Sequence, residues 1–307
     1  MFLASNSNSD SITNDQRDLK FYIFGHNISH SLSPALHNAG FKEIGLRGHY
    51  SIYESPNIDA SVERLIDEPE FGGASVTFPH KLQVGRLLDH ITPAAYAVGA
   101  INTIIVENNG DGKRILVGDN TDWSGIRTCV LHARKDGLER SPALVWGAGG
   151  AARAACYAIQ SLGIREVFIL NRSRESAERM AKDFPELKFS ICSTMQEFLD
   201  KSIRGPPVRV VVSCIPADHL DESQILDALF AAPSGVLIEM AYRPPVTATM
   251  KVVSRHPQWT VFNGMDVLVE QGFLQFKKWT GRDAPTEVMK TAMEQEITKR
   301  ERISSHV

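Results

Sequence analysis

The chain has 307 residues, 43% of them apolar and 22% charged, with a formal net charge of −3. That length suggests about two domains of roughly 150 residues, and the mixture is that of a globular protein, which excludes a disordered or fibrous chain. A charge so close to neutral offers no field for gripping nucleic acid and no basic patch for a membrane surface, so neither is an expected partner.

Residues 1–20 are mostly Ser, Asn and Asp. They lack the apolar core of a secretory signal and are too acidic for a transit peptide, so they read as a disordered tail. No run of about 18 apolar residues exists to span a membrane, and a cytoplasmic location is expected. "FYIFG" (Phe21 to Gly25) reads as a buried strand; a polar loop and a helix opening near Pro34 follow. "HYSIYES" alternates as a second strand, "NIDASVERLID" has helical spacing, and "GGASVTF" is a strand that stops at Pro79. "KLQVGRLLD" reads as a helix. "AINTIIVEN" and "RILVGD" flank the turn "NGDG", a strong hairpin signal. "DWSGIRTCVLHARKDG" shows a helical apolar stripe, Ile126, Val130 and Leu131, and ends in glycine.

The pattern then changes. "ALVWG", "EVFILNR", "RVVVSC" and "GVLIEMAY" are apolar strands, the first two followed by the helical stretches "GAGGAARAACYAIQSLG" and "SAERMAKDF". Such alternation marks a parallel sheet covered on both faces. From "VLVEQGFLQFKKWTG" onward the chain reads as helical to its end. The fold class expected is α/β: a first α/β domain over 21–125, a Rossmann domain over 126–262, and C-terminal helices, 263–307, returning to the first domain. Cys129, Cys156, Cys192 and Cys214 are widely spaced, without a Cys-x-x-Cys pair or zinc spacing. They read as buried small hydrophobes in a reducing compartment, and no metal is expected.

"VWGAGGAA" sets Gly147, Gly149 and Ala152 at Gly-x-Gly-x-x-Ala spacing between a strand and a helix. Gly147 allows the tight turn, Gly149 the approach of a pyrophosphate, and Ala152 close helix–sheet packing. Ala148, Gly150 and Ala151 complete the loop and the helix start, whose N–H groups favour phosphate. The plainer alternative is a turn of packing value only. About 20 residues on, Asn171, Arg172 and Ser173 end the next strand where NAD-binding chains carry a carboxylate. Their donors and positive charge suit the 2′-phosphate of NADP, with Arg174 in support and Glu175 opposed.

Three polar clusters interrupt the first domain: Ser31 and Ser33; Ser75, Thr77 and Lys81; and Asn102 with Asp119, Asn120 and Asp122. Singly, such residues are usually caps and turn formers. Together they fall at strand ends, where open α/β sheets build their sites.

"SHSLSPALHN", "ASVTFPHK", "GAINTI", "GDNTDWSG", "WGAGGAARA", "EMAYRP" and "VLVEQGFLQF" stand in the order seen in shikimate dehydrogenases, and the chain resembles that family from about residue 21 to 280. It is similar in particular to the shikimate dehydrogenase domain of the fungal pentafunctional aromatic-synthesis polypeptide and to fungal quinate/shikimate dehydrogenases. The resemblance implies a substrate-binding domain, a Rossmann domain and an active site in the cleft between them. It gives Lys81 the proton-transfer role and makes Asp122 its partner carboxylate. It assigns Ser31 and Ser33 to the substrate carboxylate and Thr77, Asn102 and Gln271 to ring hydroxyls. Tyr242 matches a cleft tyrosine, and Gly264 a glycine near the nicotinamide.

Four positions depart from the commoner pattern. Ser75 replaces an asparagine that touches a substrate hydroxyl, and Glu239 an aspartate. Asn263 replaces the aspartate before Gly264, and Ser176 a second basic residue that many NADP-dependent members carry. The function implied is reversible NADP-linked reduction of 3-dehydroshikimate to shikimate in aromatic biosynthesis, by a monomer or homodimer. NAD-dependent oxidation of quinate or shikimate, and a non-catalytic sensor like the fungal quinate-pathway repressors, remain open alternatives.

Overall fold

The structure, a computed structural model, describes residues 18–217 and 220–304. The chain divides into two compact units: one holds the residues up to 92, then 101–119 and those from 272 on, and the other holds 93–100 and 120–271. Among the described residues no helix is long and apolar enough to cross a membrane.

The first unit is built on a mixed sheet of β1 (Leu19–Gly25), β2 (Gly48–Glu54), β3 (Phe71–Val76), β4 (His90–Ile91), β5 (Thr103–Asn108) and β6 (Arg114–Asp119), in the order β2-β1-β3-β5-β6-β4. β1 runs parallel to β2 and β3, whereas β5 is antiparallel to β3 and to β6. The expected hairpin forms because Asn109 Oδ1 accepts the N–H groups of Asp111 (3.1 Å) and Lys113 (2.7 Å), closing the turn. Every residue of β3 is buried. Helix α1 (Ser33–Glu43) packs on α10 (Thr286–Ser304). Helix α2 (Ala60–Asp67) starts where Asp59 accepts the N–H groups of Ser61 and Val62. From α9 (Gly264–Thr280), Trp279 enters the core against Phe21 (ring centroids 5.4 Å apart) and donates its indole N–H to Ile104 O at 2.9 Å.

Two expectations change in this unit. Residues 81–89 do not form a helix; two 3-10 turns, His80–Leu82 and Val84–Leu87, replace it. Gly85 weakens a helix there, and the Lys81 carbonyl is taken by the N–H of Ile101 at 2.8 Å. Of the expected tail, residues 1–17 lie outside the described residues, and Leu19 and Lys20 already pair with Gly48 and His49 in the sheet. The last three residues of the expected C-terminal helix, 305–307, also lie outside.

The second unit carries a wholly parallel sheet: β7 (Ala143–Trp146), β8 (Glu166–Leu170), β9 (Lys188–Cys192), β10 (Val210–Ser213), β11 (Gly235–Glu239) and β12 (Trp259–Phe262), ordered β12-β11-β10-β7-β8-β9. This is the doubly wound dinucleotide-binding order, with its switch point between β7 and β10. Its helices are α3 (Pro93–Val98), α4 (Asp122–His132), α5 (Gly150–Ser161), α6 (Arg174–Lys182), α7 (Met195–Ser202) and α8 (Ala248–Val253). Strands β9 and β12 were not expected. They are the two sheet edges, only partly buried, and so lack the continuous apolar run that marks β7, β10 and β11. In α4, Ile126 and Val130 face inward, but Leu131 is 49% exposed and Cys129 is buried in its place. One residue past Val130 the helix has turned 100°.

One ion pair ties α9 to the first sheet. Lys278 Nζ meets Asp119 Oδ2 at 2.6 Å, while Thr92 Oγ1 donates to Asp119 Oδ1 at 2.5 Å. Asp119 is buried, so replacing Lys278 strips a counter-ion from a desolvated carboxylate. Lys278→Met is expected to lower the unfolding free energy by about 1–3 kcal/mol in urea titrations. Adding Asp119→Asn should recover part of that loss; a loss below about 0.5 kcal/mol would give the pair the weight of a surface contact.

Candidate functional site

In the first unit the polar residues singled out by the sequence lie around the carboxyl ends of β1 and β3. Ser31 sits in the loop between β1 and α1 and Ser33 opens α1; both are buried. Leu32, not a serine, takes the N-cap position of α1, and Ser31 Oγ accepts the N–H of Ser33 at 3.3 Å. The loop is held from both sides. Glu54, at the end of β2, accepts the N–H groups of Ile28 and Ser29, and Arg300 of α10 donates to the carbonyls of His30 (2.6 Å) and Ser31 (3.3 Å). Neither residue had been singled out, because each acts on backbone far away in sequence.

Thr77 is half-buried just past β3, its N–H on Phe24 O at 2.9 Å. Lys81 is half-buried on its 3-10 turn. Its neighbour His80 anchors that turn: the ring is fully buried, Nε2 lies 2.8 Å from Ser55 O, and burial holds its pKa below the usual histidine value. Asn102 is buried between strands, its N–H on Asp119 O (3.0 Å) and its carbonyl accepting the N–H of Val76 (2.7 Å). Ser75, in β3, accepts the phenol of Tyr50 at 2.6 Å and donates to Gln275 Oε1 at 3.0 Å.

In the second unit, Gly147 follows β7 at φ +124°, a conformation side chains other than glycine's rarely adopt. Gly149 is the N-cap of α5 and supplies no capping side chain, and the first turn, from Gly150 and Ala151, holds no acid. The helix therefore offers bare N–H groups and the positive end of its dipole. A cleft of about 580 Å³ opens there, lined by Gly147, Ala148, Gly149, Asn171, Arg172 and Ser173 among others. Cys214 also lines it, half-buried, which corrects its reading as a core residue; the other three cysteines are buried. Burial pushes the thiols of Cys129 and Cys156 up to about 12.

Asn171 Nδ2 closes the turn onto Ser173 O (2.8 Å), and Ser173 caps α6. Arg172 is exposed and pairs with no described side chain, whereas Arg174 is held by Glu197 at 2.6 Å and does not line the cleft. Lys201, the Ser193 N–H and Arg174 together draw the Glu197 carboxyl down to about 2. The residues present thus fit a dinucleotide: a bare helix start for the diphosphate and one uncommitted guanidinium at the end of the second strand.

Elsewhere in this unit, Asn120 Nδ2 donates to Ala100 O at 2.9 Å, and Asp122 opens α4, buried, behind the N-cap Thr121. Gln271 accepts the Thr121 hydroxyl at 2.9 Å and donates to Leu268 O at 2.9 Å. Gly264 opens α9 so close to the end of β11 that a Cβ would collide with the carbonyl oxygen of Met240. Tyr242 is half-buried in the loop after β11. Glu239 pins that loop, accepting the Ala241 N–H (3.2 Å) on one oxygen and the Thr247 hydroxyl (3.0 Å) on the other.

Three sequence models match the chain: the shikimate dehydrogenase substrate binding domain over residues 23–104, shikimate / quinate 5-dehydrogenase over 130–225, and the shikimate 5′-dehydrogenase C-terminal domain over 264–294. The pentafunctional AROM polypeptide of Mycosarcoma maydis is 38% identical over 297 residues, covering 87% of this chain and 17% of that protein. The quinate repressor protein of Emericella nidulans is 34% identical over 322 residues, 92% of this chain and 35% of the other. The chain therefore spans about a sixth and about a third of the lengths of these two relatives. Among solved structures, shikimate 5-dehydrogenase of Thermus thermophilus in complex with NADP(H) and shikimate superposes with a TM-score of 0.70 at 29% identity, covering 90% of this chain and 99% of that one.

Burial raises the Glu239 carboxyl above its ordinary value of 4.5. An acid raised in the folded state holds its proton longer there than in the unfolded chain. Stability from this group is thus greatest below 4.5 and is lost as pH climbs from 4.5 through the folded value. Replacing Glu239 by Gln should remove that decline. Chemical denaturation of both proteins from about pH 4 to 7 checks it: the stability difference, wild type minus variant, must fall as pH rises, and a flat or rising difference would refute the assignment.

Proposed function

The chain belongs to the shikimate dehydrogenase family, and we propose that it is a working NADP-linked dehydrogenase that interconverts 3-dehydroshikimate and shikimate. One observation carries the choice of an enzyme over a sensor: Lys81 and Asp122 are both kept, within "ASVTFPHK" and "GDNTDWSG". NADP(H) supplies or accepts the hydride. The Lys81 ammonium holds the developing alkoxide and gives or takes its proton, a role for which a point charge with three donors is suited. Asp122 orients Lys81 and the reacting hydroxyl.

Ser31 and Ser33 hold the ring carboxylate with neutral donors, while Thr77, Asn102 and Gln271 meet ring hydroxyls. Tyr242 and Gly264 border the ring and the nicotinamide. Residues 21–125 and 263–307 serve substrate, and 126–262 serve the cofactor. The free guanidinium of Arg172 beside the glycine loop supports NADP over NAD.

A second reading rests on the quinate repressor relative: a module that binds shikimate or quinate and turns over neither. A third, NAD-linked oxidation of quinate, is favoured by Ser176, where many NADP-dependent members carry a second cation. Steady-state assays with shikimate and quinate, each with NAD+ and NADP+, separate all three.

Two variants test the leading reading. Arg172→Ala should raise the KM for NADP+ roughly 10- to 150-fold, the loss of one charged hydrogen-bonded contact, and change that for NAD+ little. Equal effects on both cofactors would remove Arg172 from the 2′-phosphate. Lys81→Ala should cut turnover by about 10²–10⁴-fold with a smaller change in substrate affinity. Near-wild-type turnover would sink the mechanism.

A further inference from the structure

The start of helix α6 carries three side chains at a spacing of three residues: Ser173, Ser176 and Arg179. That spacing puts them on one helical face, and side chains on a helix lean toward its N-terminus. Hydrogen bonds join the row. Ser173 Oγ donates to Ser176 Oγ at 3.1 Å, and Arg179 Nη2 donates to the same oxygen at 3.1 Å. Ser173 is both the N-cap of α6 and a lining residue of the glycine-loop cleft. The guanidinium of Arg179 is therefore bent back along α6 to within two hydrogen bonds of a cleft residue, although its backbone lies in the second turn of the helix.

The cations near this cleft differ in what already holds them. Arg172 lines the cleft. Arg174 is drawn the other way, to Glu197 at 2.6 Å and to the Ile191 carbonyl at 3.5 Å. The acid in the first turn of α6 is Glu175, which would repel a phosphate brought to this end. Arg179 offsets it, pairing with Glu175 through Nη1 while Nη2 stays on Ser176. Arg179 and Glu175 are 63% and 79% exposed, and an i,i+4 pair in water is weak enough to be shared with a stronger anion. A phosphate monoester, with its double charge and three acceptor oxygens, competes for such a guanidinium; an uncharged ribose hydroxyl does not. The short side chain of Ser176 leaves the room in which the guanidinium lies.

We propose that Arg179 is a specificity-determining residue of the cofactor site: beside Arg172 it brings a second guanidinium to the 2′-phosphate of NADP, and it screens Glu175 from that phosphate. The proposal rests on the dehydrogenase reading for the identity of the cofactor. It turns Ser176 from an argument for NAD into part of an NADP site, since the second cation comes from the next turn of the helix.

The test compares two nucleotides that differ in that phosphate alone, adenosine 2′,5′-bisphosphate and adenosine 5′-monophosphate. Binding is measured by calorimetry on the whole chain, with the melting temperature of every variant. Arg179→Ala should weaken the bisphosphate about 2- to 10-fold, the range from an exposed ion pair to one charge-assisted hydrogen bond, and leave the Kd of the monophosphate alone. Arg179→Lys should fall between, since it keeps the charge and loses the fork. Adding Glu175→Gln to Arg179→Ala should recover part of the loss, because the unscreened acid is gone. Adding Ser176→Arg instead should also recover it, by returning a guanidinium to the vacated place. The KM for NADP+ in shikimate oxidation should follow the same order.

A lower melting temperature with an unchanged bisphosphate Kd in Arg179→Ala would leave only a helix-stabilising ion pair and overturn the proposal. So would equal weakening of both nucleotides, which would place the effect in the shape of the cleft. A wild-type chain that prefers the bisphosphate but turns over neither shikimate nor quinate fails the dehydrogenase reading only, and the Kd series still decides Arg179. A wild-type chain that binds the two nucleotides equally, or binds neither, overturns the choice of NADP and the role of Arg179 together.

Discussion

A strand buried on both faces has almost no place for a polar side chain, and that constraint decides where this chain keeps its chemistry. Strands β7, β10 and β11 are wholly buried, and the polar side chains of the last two sit in the final position: Ser213 and Glu239 end their strands, and Cys214 follows Ser213 immediately. The same sorting acts in the first unit. Thr77 and Lys81 follow β3, and Asn102 precedes β5. In parallel neighbours such ends coincide in space, so polar residues excluded from the sheet body are gathered into one place by the same physics that excludes them. Ser75 is the exception inside β3, and its hydroxyl is satisfied twice over, as a buried polar group requires.

Helix α9 supplies much of what the first sheet lacks. Gln275, Lys278 and Trp279 stand at i, i+3 and i+4, on one helical face. Each brings a polar head to the sheet: an amide to Thr103 and Asn102, an ammonium to Asp119, an indole N–H to Ile104. A helix whose inward face is both large and polar-tipped can seal a core and still satisfy the strand groups it covers. This is why Gln275, only 1% exposed, costs the core nothing in unpaired hydrogen bonds.

Legibility in the sequence followed range. The glycine loop, the Pro34 helix start, the Asn109 turn and the apolar central strands were readable because each depends on neighbours within a few residues. The edge strands β9 and β12 were not, since an edge lacks the fully apolar signature. The 3-10 path through Lys81 was not, because 3.6-residue periodicity does not reveal a backbone carbonyl captured by Ile101. Site residues divided the same way. Serines, Lys81 and Asn102 stand in compact motifs. Tyr50, Glu54 and Arg300 stand in none, and Gln275, although inside "VLVEQGFLQF", carries no local sign of its role; their partners lie 25, 26, 270 and 200 residues away. No local pattern records such pairings.

The two halves of the proposed site differ in how firmly they are set. Arg174 and Glu197 meet in water, 46% and 30% exposed, and a pair of that kind is worth at most about 1 kcal/mol. The charge beside the Arg172 loop can therefore be redistributed by small changes on α6 or α7 without disturbing a core. On the side proposed for the ring acid, the hydroxyls of Ser31, Ser33 and Ser75 and the amide of Asn102 are at most 5% exposed, where an unmade hydrogen bond costs the full desolvation of its group. In the function we propose, cofactor preference is thus an adjustable surface property, while recognition of the ring is bound into the packing of β3, β5 and α9. A substitution that alters the second must also repack the first unit's core, and one that alters the first need not.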